Sequence, residues 1–196
     1  GLNIKRSTLL DYVYPNNVKI AAVHMKLAPC PDLRSLVQTC SSLVDNAVRS
    51  GAHVVLFPHL FGLLPLCAHK GAAAIVQKMA ADLRAGNVSR ARFSLVMDKF
   101  SDFVFDCYYT LFLRLAQRYN IYIAAGSTYV STPKGIRCRS YLFSPDHTDA
   151  FFQDKLHLTP TETKLGIQAG DEMHILDLKI GRAALLAGMD AAFCEC

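Results

Sequence analysis

Long hydrophobic runs are absent from this sequence of 196 residues, because charged residues or prolines interrupt each apolar stretch. No segment reaches the roughly 20 apolar residues that a membrane-spanning helix needs. The first ten residues contain two basic side chains but no apolar segment of the kind that precedes a cleavage site, which argues against a secretory signal. We therefore expect a soluble protein with no membrane partner.

Runs of like charge are also missing. The 21 Lys and Arg residues outnumber the 16 Asp and Glu residues, but they are scattered singly, so we expect no nucleic-acid partner. The glycines do not have the spacing of a phosphate-binding loop, and the histidines do not have a metal-ligand spacing. We therefore expect no cofactor and no metal, and we interpret six histidines as structural or surface residues: His24, His53, His69, His147, His157 and His174.

Apolar residues are plentiful, since 52% of the chain is hydrophobic and 10% is aromatic. This composition suits a globular chain with a core of its own, and the lack of repeats and linkers favours one domain over residues 1–196. The seven cysteines are an odd number, and most lie in apolar segments where a reduced thiol packs as a small hydrophobe. We therefore predict a reducing, cytoplasmic location.

Helical and strand patterns alternate along the chain. From Asp32 to Val48, apolar residues recur three and four positions apart, which predicts a helix that ends at Gly51. Short apolar segments on either side of this helix read as buried strands, and strand, helix, strand is a crossover unit. Those two strands are predicted at 18–23 and 53–57, further helical segments at 71–93 and 100–119, and further strands or hairpins at 121–127, 140–143 and 174–187. This order indicates a layered α/β fold.

Four short segments carry the candidate chemistry, at residues 53–60, 125–127, 154–162 and 187–195. The first contains the sequence Phe-Pro-His-Leu, the third contains Asp-Lys-Leu followed by Thr-Pro-Thr-Glu, and the fourth contains Gly-Met-Asp. In this order they resemble the motifs of the carbon-nitrogen hydrolase (nitrilase) superfamily. The resemblance covers nearly the whole chain.

The resemblance assigns a role to four residues. Lys155 and Glu162 match the catalytic lysine and the supporting glutamate of the family. His59 stands where the family has the glutamate that transfers a proton, and Gly188 stands where it has the nucleophilic cysteine. In the family, the thiolate attacks the carbon of an amide or nitrile and the lysine helps to hold the developing oxyanion. Because glycine offers no nucleophile, the resemblance implies a catalytically inactive pseudo-enzyme.

The resemblance also implies a four-layer αββα sandwich, in which two sheets pack face to face between outer helices. Family members continue beyond the nucleophile motif and this sequence ends close to it, so we expect a fragment or a C-terminally truncated product. Open sheet edges in such a chain would need cover, which favours a homodimer or a hetero-assembly. Residues 137–139 replace an asparagine of the family, and we expect Arg137 and Arg139 to be solvated.

Three functions remain open on this basis. The first is a binding or assembly subunit with a pocket for a small amide or carboxylate around Lys155, Glu162 and His59. The second is an active amidohydrolase that cleaves a small amide or nitrile with an unorthodox nucleophile, Cys194, and with His59 as its base. The third is a structural relic without a pocket.

Overall fold

Two β-sheets and one layer of helices make up the part of the chain that the computed structural model describes, which is residues 3–7, 15–25, 30–87 and 89–193. The strands are β1 (Asn3–Ser7), β2 (Ile20–Ala22), β3 (Val54–Leu56), β4 (Tyr122–Thr132), β5 (Gly135–Phe143), β6 (Phe151–Asp154), β7 (Glu172–Leu178) and β8 (Gly181–Ala183). The helices are α1 (Leu33–Arg49), α2 (Leu64–Ala68), α3 (Ala73–Arg84), α4 (Arg90–Tyr119) and α5 (Pro160–Leu165). Short 3₁₀ turns cover Phe61–Leu63 and Gly188–Ala192.

The larger sheet has five strands in the order β2-β3-β4-β5-β6, and the smaller has the order β1-β7-β8. Strands β2, β3 and β4 run parallel, whereas β4, β5 and β6 run antiparallel. In the smaller sheet β1 is parallel to β7, and β7 forms a hairpin with β8. Parallel pairing of β2 with β3 requires a crossover, and α1 provides it.

Helix α1 forms where the spacing of apolar residues predicts it. The side chain of Asp32 caps its first turn by accepting a hydrogen bond of 2.7 Å from the backbone N–H of Ser35. Its buried residues recur three and four positions apart, so they share one face of the helix. They are Leu36, Cys40, Val44 and Ala47.

The main core lies between the helices and the five-stranded sheet. Helices α1 and α4 bury their apolar faces against β3, β4 and β5, and the aromatic side chains meet there. Phe112 of α4 is 1% exposed and packs edge-on against Phe57, with their ring centroids 4.8 Å apart. This core fixes the carboxyl end of β3, after which His59 follows.

A second core joins the two sheets. Buried residues of β3, β4 and β5 pack against Leu176 and Leu178 of β7. The described residues therefore form three successive layers: helices, five-stranded sheet and three-stranded sheet. This arrangement confirms the α/β class and the stacked sheets of the expected sandwich. No helix among the described residues is long and apolar enough to cross a membrane.

Several elements differ in extent from the sequence prediction. Strands β4 and β5 form a long hairpin that turns at Pro133 and Lys134, well beyond the apolar segments that suggested them. Helix α4 begins at Arg90, after a break at Gly86 that was predicted correctly. Helix α5 was not predicted, because it has six residues and too short an apolar pattern to be recognised.

Replacing Phe112 with alanine is expected to destabilise the fold by about 3–5 kcal/mol, because the cavity left between α4 and the sheet cannot collapse completely. The free energy of unfolding in urea measures this effect. Leu95→Ala is the control, since Leu95 lies on the same helix but is 69% exposed; its effect should stay within about 0.5 kcal/mol. Equal effects of the two substitutions would contradict the packing described here.

Candidate functional site

Lys155 is a buried lysine at the end of β6. Its backbone N–H donates to the carbonyl of Cys138 at 2.8 Å, and its carbonyl accepts from the N–H of Gly170 at 2.8 Å. The side chain is only 1% exposed. An ammonium group this deeply buried requires a partner, because an unpaired charge in the interior is very costly.

That partner is Glu162, in the first turn of α5. The two carboxylate oxygens lie 2.9 and 2.7 Å from Lys155 Nζ. The Glu162 carboxylate also accepts hydrogen bonds from the backbone N–H and hydroxyl of Thr159, which complete a capping box at the start of the helix. Burial acts to raise the pKa of Glu162, but the hydrogen bonds from Lys155 and Thr159 outweigh it and hold the pKa below its usual value. Glu162 is therefore an anion at neutral pH.

His59 lies in the turn that follows β3. Its Nδ1 is 2.7 Å from the hydroxyl of Ser127 on β4, and that hydroxyl also accepts from the backbone N–H of Leu60 at 2.9 Å. We assign the tautomer in which the Ser127 hydroxyl donates to Nδ1 and the imidazole proton lies on Nε2. Burial, and then the charge of Lys155, lower the pKa of His59. The ring is therefore neutral at neutral pH, with an N–H donor at Nε2.

Gly188 completes the cluster from the opposite side. It begins the 3₁₀ turn that follows β8, and its φ of +57° is in the left-handed region that favours glycine. A Cβ atom built at this position would lie 3.5 Å from Lys155 Nζ and 3.6 Å from His59 Nε2. The structure therefore brings together all four residues that the sequence singled out.

Asp190 holds this turn against the lysine segment, and sequence reasoning gave it no role of its own. Its carboxylate is 1% exposed and accepts hydrogen bonds from the backbone N–H groups of Leu156 at 3.0 Å, His157 at 2.7 Å and Ala187 at 3.2 Å. These bonds join the segment that follows Lys155 to the residue that precedes Gly188. The position of Gly188 relative to Lys155 depends on them.

A cavity of about 230 Å³ adjoins the cluster. Among the described residues of its lining, His59 is the one side chain that can carry a charge near neutral pH, and the rest are apolar or hydroxyl-bearing. The lining consists of Leu56, Phe57, His59, Ala124, Gly126, Ser127, Ser140, Tyr141 and residues 184–188. Its volume suits a molecule of a few non-hydrogen atoms.

Cys138 is a second residue of the site to which the sequence gave no role. It lies on β5 and is fully buried, and its sulfur shares a cluster with ligand atoms of His59 and Glu162 in which all three atoms lie within 4.8 Å of one another. Such a trio resembles a metal site in residue type. However, Lys155 already neutralises Glu162, and burial raises the pKa of the Cys138 thiol to about 12. The Glu162 carboxylate is therefore paired with the Lys155 ammonium, and a trio with a protonated thiol and a paired carboxylate does not fit a divalent metal.

The prediction that Arg137 and Arg139 are solvated is wrong. Arg137 is 8% exposed and donates to Asp154 at 3.0 Å, and Arg139 donates to the same carboxylate at 2.6 and 3.0 Å. Arg139 also lies over the ring of Phe152, 3.9 Å from its centroid. Two arginines on one face of β5 thus fix Asp154, directly before Lys155. The predicted alternative nucleophile, Cys194, lies outside the described residues.

Comparisons with known proteins bear on the family and the fold of the chain. A family model described as carbon-nitrogen hydrolase matches residues 19–195. Among curated proteins, the probable hydrolase YhcX of Bacillus subtilis (strain 168) is 38% identical over 103 residues, which are 52% of this chain and 20% of YhcX.

Solved structures of the nitrilase superfamily share the fold at low sequence identity. A cysteine-to-serine mutant of the Nesterenkonia AN1 amidase is 18% identical, with a TM-score of 0.59, over 92% of this chain and 60% of the amidase. Nit3 of Saccharomyces cerevisiae is 17% identical, with a TM-score of 0.60, over 91% of this chain and 58% of Nit3. Another mutant of the Nesterenkonia amidase shows covalent addition of the acetamide moiety of fluoroacetamide at its active site cysteine. The chain spans about 60% of the length of these structures.

Glu162→Gln is expected to destabilise the fold by about 3–5 kcal/mol at pH 7, because it leaves the Lys155 charge buried without a counter-ion. The pKa of Glu162 is lowered on folding, so the carboxylate stabilises the protein above its ordinary pKa of about 4.3 and that advantage is lost as pH falls further. The difference in the free energy of unfolding between Glu162→Gln and the wild type, measured in urea, should therefore be largest near pH 7 and should decrease as the pH falls through the folded-state pKa of Glu162.

The double variant Lys155→Met/Glu162→Gln is the matched control for this experiment. Because it removes both charges, it should be more stable at pH 7 than Glu162→Gln alone. If the free energy of unfolding of Glu162→Gln at pH 7 equals that of the wild type, the ion pair does not contribute the stability predicted for it.

Proposed function

The chain belongs to the carbon-nitrogen hydrolase family, and from this premise we propose that it is a non-catalytic member that serves as a binding or assembly subunit. The observation that carries the proposal is at Gly188. Between Lys155 Nζ and His59 Nε2 there is a backbone with no side chain, so no nucleophile from residues 30–87 or 89–193 lies where both groups converge.

Covalent catalysis requires an activated nucleophile, and the Nesterenkonia amidase uses an active site cysteine that fluoroacetamide modifies. The motif around Gly188 resembles the one that carries this cysteine in the family. His59 can act as a base only if a proton donor with nucleophilic character lies beside it. With glycine at position 188, the remaining groups support binding without bond cleavage.

The retained groups favour a ligand with an oxygen acceptor. Lys155 Nζ and His59 Nε2 both donate toward the same point, and an amide carbonyl or a carboxylate oxygen can accept from two donors. The adjoining cavity of about 230 Å³ holds the rest of a small molecule. We therefore propose a small amide or carboxylate as the ligand. The described cysteines are all free, which fits the reducing cytoplasm that we propose as the location.

The surroundings of Cys138 argue against an active amidohydrolase in which this thiol is the nucleophile. The thiolate is the attacking species, and a thiol whose pKa is raised to about 12 holds almost none of it at neutral pH. The side chain is also fully buried in β5, so a substrate carbon cannot reach the sulfur without strand movement.

The wild-type chain is expected to show no thiol-dependent turnover of small amides or nitriles, because none of the cysteines that the structure describes presents a thiolate to Lys155. The double variant His59→Glu/Gly188→Cys should instead form an adduct with fluoroacetamide at position 188. An assay of amide and nitrile hydrolysis with and without a thiol-alkylating reagent measures turnover, and peptide mapping by mass spectrometry locates the adduct. Gly188→Ala is the control, since it introduces the same left-handed strain, on the order of 1–3 kcal/mol, without a thiol. An acyl adduct on any wild-type cysteine beside Lys155 would refute the proposal.

Binding is expected to depend on the donor at His59. Saturation-transfer NMR with acetamide and acetate should detect binding to the wild type, and His59→Phe should weaken it about tenfold, which corresponds to one lost hydrogen bond. His53→Phe is the matched control, because His53 is exposed and accepts a hydrogen bond from the Lys19 N–H outside the site. If neither molecule binds and Lys155→Ala and Glu162→Ala change no partner contact, the chain is a structural relic.

A further inference from the structure

A charged cleft of about 370 Å³ lies along β5, on the opposite face of the strand from Cys138. Successive residues of a strand point to opposite faces, so Arg137 and Arg139 line this cleft while Cys138 points toward the cluster around Lys155. The turn between β4 and β5, the end of β6 and the start of β7 complete the lining. Among the described residues, the lining of this cleft has no member in common with that of the cavity beside Lys155.

Two arginines form the most buried part of the cleft. The side chains of Arg137 and Arg139 are 9% and 19% exposed, and both donate hydrogen bonds to the carboxylate of Asp154. Burial of this kind holds both guanidinium groups in fixed positions. Because a single carboxylate can neutralise only one of their two positive charges, the pair retains an attraction for a second anion.

Asp171 meets that attraction only loosely. Its carboxylate oxygens lie 3.4 Å from Lys134 Nζ and 3.6 Å from Arg137 Nη1. Both distances exceed the roughly 2.7–2.9 Å of a well-formed charge-assisted hydrogen bond. The side chains of Lys134 and Asp171 are 72% and 65% exposed, so water competes for both charges. A ligand can therefore displace the Asp171 carboxylate at little cost.

The electrostatic potential at this position favours negative charge. Although the Asp171 carboxyl group is open to solvent, the charge of Lys134 is the main cause that holds its pKa below the ordinary value, and Arg137 acts in the same direction. An acidic group of a bound molecule would experience the same potential. Both carboxylates that contact Arg137 do so through Nη1, whereas a guanidinium group carries five N–H donors on three nitrogens. Arg137 can therefore donate to a further acceptor.

The cleft also offers apolar surface beside these charges. Phe152 is 39% exposed, and the guanidinium of Arg139 lies over its ring, 3.9 Å from the centroid. Pro133 lines the cleft from the turn between β4 and β5. Planar groups stack well on guanidinium planes and on aromatic rings. A volume of about 370 Å³ is also within the usual range of small-molecule sites, which is about 300–1,000 Å³.

We propose that this cleft binds a small organic anion, whose carboxylate or phosphate group takes the place of the Asp171 carboxylate beside Lys134 and Arg137. The planar part of the anion packs against Phe152 and Pro133. The cleft is separate from the cluster around Lys155, so this inference goes beyond the proposed function and does not depend on it.

Benzoate and phenyl phosphate test the two acidic groups on the full chain, with two-dimensional NMR of the backbone amides as the measurement. At least one of them should bind, and the shifts should be concentrated at residues 132–139, 152–154 and 171–174, not at residues 184–188 beside Lys155. Benzylamine has the same ring with the opposite charge and should not bind there. High salt should weaken the binding of either anion, because the charges at the opening of the cleft are screened.

Two substitutions should change the dissociation constant of the anion in opposite directions. Lys134→Ala removes a charge that attracts the anion and should raise the constant about threefold or more. Asp171→Asn removes the competing carboxylate and should lower it about two- to fivefold, because an exposed ion pair contributes little.

Lys78→Ala and Asp149→Asn are the matched controls for these charge changes. Both residues are exposed and neither lines the cleft, so both variants should bind the anion as the wild type does. Urea unfolding should show that all four variants are folded, since each substituted side chain lies on the surface.

Three results would overturn the proposal. The first is that neither anion shifts the amides of the cleft. The second is that benzylamine binds there as tightly as benzoate, which would show that the cleft does not select negative charge. The third is that Asp171→Asn weakens binding or leaves it unchanged, which would show that the acidic group of the ligand does not take the place of the Asp171 carboxylate.

Discussion

The buried ion pair between Lys155 and Glu162 is the interaction on which the site depends. Either charge would be strongly destabilising in the interior without its counter-ion. Each residue therefore depends on the element that holds the other in place. Glu162 is fixed by the capping box of α5, and Lys155 is fixed by backbone hydrogen bonds to β5 and to Gly170. The chemical groups of the site are therefore part of the framework of the fold.

If the chain is non-catalytic, as we propose, this dependence explains how the scaffold keeps its lysine and glutamate. Replacing either member of the pair leaves the other as a buried charge without a counter-ion. A glycine at position 188 in place of a nucleophile leaves no buried charge unpaired. Glycine also adopts the φ of +57° at that position without strain. The stability of the fold therefore requires Lys155 and Glu162 but does not require a thiol at position 188.

The sequence predicted the elements whose signals are local. Helix α1 has an apolar stripe and an Asp32 cap, so its bounds follow from neighbouring residues. The length of the β4–β5 hairpin depends on pairing between strands, which a single strand does not reveal. The burial of Arg137 depends on Asp154, which is distant in sequence. The family resemblance put four residues in one site, and the structure brings them together, but their roles remain predictions. The proximity of Cys138 to His59 and Glu162 follows only from the three-dimensional fold.

The small sheet places one constraint on how the molecule reaches this state. Strand β1 pairs with β7, so that Asn3 lies beside Glu172 and the two partners are separated by almost the whole described chain. Contacts between such distant segments form slowly, because a long loop must first be closed. Until β7 has left the ribosome, the face of the larger sheet that carries Val54, Tyr122 and Leu142 has no cover. Nascent chains thus expose this apolar surface in the interval between the synthesis of β5 and that of β7, and a chaperone that shields it would raise the yield of native protein.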